Sequence, residues 1–166
     1  MSNKAYRFIT FGLIVLLMIM AFRVVMLDHR VSEMERQVGE DLAKTVLMLA
    51  DINLLIAQQL NMETPDVERL RDYLHIGYML SSQSQLPALA YYFEIMFVEM
   101  EKTRLIEEFD WERITKANQD LKGLLDLVQG KDLDMPRSAL DHYRWTTGRD
   151  REFNIRVADY IRQRQN

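Results

Sequence analysis

Cysteine is absent from this chain, and glycine and proline are scarce, at 6 and 3 of 166 residues. No cysteine means no disulfide scaffold, no thiolate metal site and no thiol nucleophile. So few turn-forming residues argue against an all-β domain. Histidine is rare too, with His29, His75 and His142 on separate segments. No H-E-x-x-H or Glu-x-x-His spacing brings a histidine to a metal. Asp72 and His75 are i,i+3 neighbours, which a solvated helix face explains. There is no G-x-S-x-G and no glycine-rich phosphate loop. Ser81, Ser82 and Ser84 read as a polar turn. The carboxylate pairs Glu107-Glu108 and Asp132 with Asp134 read as solvated charge. These absences point away from an enzyme, and no cofactor or metal is expected. No N-x-S/T sequon occurs, so one sign of a eukaryotic secreted domain is missing.

The formal net charge of −4 conceals an asymmetry. Residues 1–27 carry Lys4, Arg7 and Arg23 and no acid, residues 28–130 are dominated by acids, and residues 131–166 have a slight excess of bases. An acidic middle is no surface for phosphates, so nucleic acid is not an expected partner.

What the chain does have is one long apolar run, FITFGLIVLLMIMAFRVVML, from Phe8 to Leu27. At ~1.5 Å per residue, a helix of this length matches the ~30 Å hydrocarbon core of a bilayer. Three other readings compete with this one. A cleaved signal peptide needs an A-x-A-like pair of small residues, and Met20-Ala21-Phe22-Arg23 offers none. A buried core helix apolar on every face needs a much larger protein around it. A helix lying flat on the membrane needs a charged face. Arg23, one turn from the end of the run, can snorkel to the interface or pair with an acid on a partner helix within the membrane. Lys4 and Arg7 lie closer to the run than Arg30, Arg36 and Lys44 do. The basic-side rule then puts residues 1–7 in the cytoplasm and the body outside it.

After Leu27 the apolar pattern continues. Val31, Val38, Thr45, Ile52 and Gln59 recur every seven residues, with Leu42, Leu49 and Ile56 between them. This spacing predicts one helix running to about Met62, packed in a bundle or a coiled coil. Thr64-Pro65-Asp66 starts a second helix, with Thr64 as its cap. Its inner face is Val67, Leu70, Leu74, Gly77 and Tyr78. Pro87 opens a third. Within it, Tyr91, Tyr92, Phe93, Ile95, Met96, Phe97 and Val98 make a stretch apolar all round, which predicts burial on every side. Asp110 caps a fourth helix, with Trp111, Ile114, Leu121, Leu124, Leu125 and Val128 on one stripe and Gly130 as its stop. Residues 131–135 lead to Pro136. Ser138 with Asp141 resembles a capping box, Gly148 interrupts, and Phe153, Val157, Tyr160 and Ile161 fit a last helix. Local ion pairs account for most of the Arg-rich tail from Arg144 to Arg164, and contact with anionic lipid or an acidic partner is the alternative.

The expected architecture is all-α. A short N-terminus (1–7) and a transmembrane signal anchor (8–27) precede an antiparallel bundle of about four helices (28–130) and a basic helical appendage (131–166). The expected role is that of a single-pass protein of the bacterial inner membrane. It would act as a scaffold, accessory or assembly subunit of an envelope complex, touching other membrane or envelope proteins or a second copy of itself. Tyr91–Val98 and Trp111 are the candidate contact residues, because Met, Tyr and Phe favour adaptable interfaces. The alternatives are a ligand-sensing bundle that relays through a partner, and a phage or envelope-bridging lysis factor.

Overall fold

The computed structural model describes residues 3–102, 110–131 and 137–165, with side chains from Phe11 to Arg164. The side chains of Lys4 and Arg7, the pair Glu107-Glu108, and Asp132, Asp134 and Pro136 lie outside the described residues. All regular structure among the described residues is helical: α1 (Asn3–Leu60), α2 (Val67–Gln83), α3 (Pro87–Lys102), α4 (Trp111–Gln129), α5 (Ala139–Thr146) and α6 (Arg151–Gln165). The chain divides into two compact units, Met1–Gln37 and Val38–Asn166, and α1 contributes to both.

The first unit is helix alone. Most of its described apolar side chains are exposed: Phe11, Leu17 and Phe22 are 68%, 64% and 65% exposed. The apolar window of α1 has a mean hydropathy of 2.3, and none of it is buried. By length and composition this one helix can cross a membrane.

The second unit is a helical bundle with one continuous core. Leu49 and Ile56 of α1, Leu70 and Leu74 of α2, Phe93 and Met96 of α3, and Leu121 and Leu124 of α4 are fully buried. Cross-links give the directions. Arg71 near the start of α2 meets Glu101 near the end of α3 at 3.0 Å. Arg113 at the start of α4 meets Glu99 near the end of α3 at 2.8 Å. Both pairs of neighbours are therefore antiparallel. In α6, Tyr160 and Arg164 both reach Asp120 of α4, and Trp145 of α5 meets Phe153 edge-on at 5.8 Å. The C-terminal helices thus share the bundle's core, which also includes Trp145, Phe153 and Val157.

Four expectations need correction. The buried line on α1 is Val46, Leu49, Asn53 and Ile56, while Val38 stays 47% exposed and Ile52 half-buried. A straight helix against a bundle follows a 3.6-residue period, so its buried line drifts off a strict heptad. Gln59, polar but buried, is explained by its Oε1, which accepts from the backbone N–H of Asp66 at 3.2 Å and fastens the α1–α2 turn. The cap of α2 is Asp66, not Thr64, and its carboxylate accepts from the Arg69 N–H at 3.1 Å. Ser81 is not in a turn: it is fully buried within α2, its Oγ donating to the Gly77 carbonyl at 2.7 Å. The fourth correction concerns α3, which is not buried all round.

Candidate functional site

α3 is divided by its own geometry. Leu86, fully buried, precedes Pro87, and its carbonyl accepts from the N–H groups of Leu89 and Ala90. That anchor fixes the phase of the helix. Leu89, Phe93, Met96 and Met100 turn into the core and are fully buried, and Tyr92 is only 3% exposed. Phe93 and Met96 are therefore core residues and not a surface that a partner can reach, while Tyr92, almost as buried, lines a cleft beside the helix. Phe97 is half-buried, its ring 5.9 Å from that of His75. Tyr91 and Val98 are 37% and 39% exposed, with half-buried Ile95 between them. Residues 91, 95 and 98 fall on one line, so the outward part of α3 is a narrow apolar strip. Gly77 lets α2 come this close to α3: a methyl there would sit 2.5 Å from Cδ1 of Phe93.

Beside the strip runs a cleft of 480 Å³ between α3, α4 and α6, lined by Tyr91, Tyr92 and Ile95 on one side and by Arg113, Lys116, Asp120 and Arg164 on the other. Asp120 is 5% exposed and holds α6 in place. Its carbonyl accepts from the Tyr160 hydroxyl at 2.8 Å, and its carboxylate takes Arg164 at 3.4 Å. Glu99, 8% exposed, receives Lys102 at 3.0 Å and Arg113 at 2.8 Å. Burial, reinforced by Asp120, pushes the Tyr92 phenol up to about 12. Trp111 is half-buried at the start of α4, in a separate depression with Glu112, Thr115 and Gln119. The two depressions share Lys116.

The remaining candidates stay apart from this cleft. Arg23 is exposed on α1, in a groove with Phe22, Met26, Leu27 and Arg30. Asp72 and His75 are exposed on α2. Among the described residues no group of three or more His, Cys, Asp or Glu is placed to hold a metal ion.

No protein-family model matches this chain, and no curated protein or solved structure is similar to it. Its chemistry is therefore read from the side chains alone. They offer apolar walls, a buried phenol and several cations, which are the components of a binding surface.

Sequence reasoning missed Arg113, Lys116, Asp120 and Arg164. Asp120 and Arg164 are 44 residues apart, and the only local signal is an acid on the apolar stripe of α4. It also missed a second apolar strip on α1, where Leu47, Met48 and Leu54 are 57%, 54% and 56% exposed.

Proposed function

We propose that the chain is a single-pass protein of the bacterial inner membrane whose helical body docks another envelope protein, as a scaffold, accessory or assembly subunit. The observation that carries this reading is the stretch Phe11–Leu27, apolar on every face and with large side chains 45% to 68% exposed. In water that surface would drive aggregation, whereas in a bilayer it is matched to its solvent. Lys4 and Arg7 before the run favour a cytoplasmic N-terminus and a periplasmic body. The mechanism is positional: anchoring raises the effective concentration of the body toward partners in the same membrane. The strip of Tyr91, Ile95 and Val98 is the contact surface we favour, because it offers apolar area with a charged rim.

A carbonate wash of membranes from expressing cells tests the anchor, and the chain should remain in the pellet. Alkaline phosphatase fused after Asn166 tests orientation and should be active, while a fluorophore that matures only in the cytoplasm should stay dark. Release by carbonate, or the reverse reporter pattern, refutes the anchor or the orientation respectively. Val98→Asp should abolish capture of partners from detergent extracts while leaving the helical circular dichroism unchanged.

A further inference from the structure

The cleft beside the strip has a feature that docking does not use. Tyr92 is 97% buried by its 3% exposure, it lines the cleft, and its hydroxyl has no hydrogen-bond partner among the described residues. A buried hydroxyl normally finds a partner, because leaving it unmet costs stability. Its phenol stays protonated at neutral pH, so it is a donor waiting for an acceptor. Around it stand three cations, Arg113, Lys116 and Arg164, of which Arg113 also holds Glu99 at 2.8 Å and Arg164 also holds Asp120 at 3.4 Å. The Asp120 carboxylate is met by Arg164, while its backbone carbonyl accepts from Tyr160. The volume of 480 Å³ falls within the range of small-ligand sites, roughly 300–1,000 Å³. Tyr91 and Ile95 supply an apolar wall.

We propose that this cleft binds a small organic oxyanion, a carboxylate or phosphate on an apolar body. Its charged oxygens meet Lys116, Arg113 and Arg164, and one of them accepts from the Tyr92 hydroxyl. The apolar body lies against Tyr91 and Ile95. Both a soluble metabolite and an anionic lipid headgroup carry this chemistry. The proposal does not depend on docking, since a chain that captures no partner can still fill this cleft.

The test uses the full chain in nanodiscs of phosphatidylcholine, titrated with phenyl phosphate by calorimetry. Saturable binding is expected. Lys116→Glu should weaken it tenfold or more: Lys116 is exposed, so the change does not threaten the fold. Tyr92→Phe should weaken binding severalfold while the chain melts no lower than the parent, because only an unmet hydroxyl is removed. Nanodiscs containing phosphatidylglycerol identify the source: competition with phenyl phosphate assigns the site to a lipid headgroup, and its absence assigns it to a soluble anion. No saturable binding of phenyl phosphate, or binding unchanged by Lys116→Glu and Tyr92→Phe, overturns the proposal.

Discussion

Gly39 of α1 is buried, and a methyl group there would overlap the carbonyl oxygen of Ala139 and lie 2.5 Å from its carbonyl carbon. Both partners in that collision are backbone, so no rotamer change relieves it. α1 and the first turn of α5 must separate by ~1.4 Å before carbon and oxygen reach ordinary contact, about 3.3 Å. Two terms compete in Gly39→Ala. Alanine gains about 1 kcal/mol over glycine in a helix interior. Overpacking costs about 1–3 kcal/mol, and a backbone collision belongs at the upper end. The net expectation is a loss of about 2 kcal/mol, which lowers Tm by ~6–10 °C for a unit of this size. Trp145 reports on the event, since it sits in α5, is 6% exposed and packs against Phe153. In a Trp111→Phe background, its emission should shift to the red at lower temperature than in the parent. Gly12→Ala, where a methyl meets nothing within 4 Å, is the control and should leave the transition in place. If Gly39→Ala melts with the parent or above it, the close approach of α1 and α5 is wrong.

The other predictions concern helix ends and one histidine. Gln85→Gly should raise stability by ~1 kcal/mol, because Gln85 holds a left-handed φ of 56° that costs a side-chain-bearing residue about that much. A denaturant midpoint lower than the parent's would contradict it. Ser138→Ala should cost ~1 kcal/mol in the same assay, since it removes the capping box with Asp141. His142 is 4% exposed, and burial, then Arg137, hold it below its ordinary 6.5, with Asp141 opposing. The folded chain therefore takes up that proton less readily than the unfolded one. Its contribution is complete above 6.5 and is lost as pH falls through the lower folded value. Melting temperatures between pH 7.5 and 5 should fall less steeply in His142→Gln than in the parent, and equal slopes would exclude this histidine as the cause.

The helix ends show what the sequence could and could not reveal. Asp110 as a cap, Ser138 with Asp141 as a box, and Gly130 and Gly148 as stops were all legible, because each residue type carries its own local chemistry. α4 and α5 close with the same pair of bonds. Lys131 and Gly130 donate to Asp126 and Leu127, and Arg149 and Gly148 donate to Arg144 and Trp145. α2 closes identically, with Leu86 and Gln85 donating to Ser81 and Ser82. There, however, the left-handed position is glutamine, and nothing in the residue type announces it. The all-helical class and the last helix were legible in the sequence. The phase of α3 was not: a stretch apolar on all faces carries no moment to say which side faces in, and only the anchor at Leu86 decides that Phe93 and Met96 are core while Tyr91 and Val98 are surface. The cleft was invisible for another reason. Its cations come from α4 and α6, brought together by the Tyr160–Asp120 and Arg164–Asp120 contacts across the fold.

Helices α3 and α4 carry several of the bundle's buried polar side chains. Tyr92 and Glu99 come from α3, and Asn118 and Asp120 from α4. Glu99 and Asp120 each hold a cation, while the Tyr92 hydroxyl and the Asn118 carbonyl oxygen have no partner among the described residues. Leucine at these positions would stabilise a bundle of this kind more cheaply, because buried charge rarely repays its desolvation and an unmet hydroxyl repays nothing. Asn53 and His142 also bury a polar atom that has no partner among the described residues, but the helix ends and the core follow local rules, with acids or serine capping α2, α4 and α5 and leucine filling the core. Departures from such rules concentrate where a chain has a task other than folding. On that ground the α3–α4 seam and its mouth at Tyr91 and Lys116, not the leucine core, are where substitutions that spare stability should still change what the protein holds.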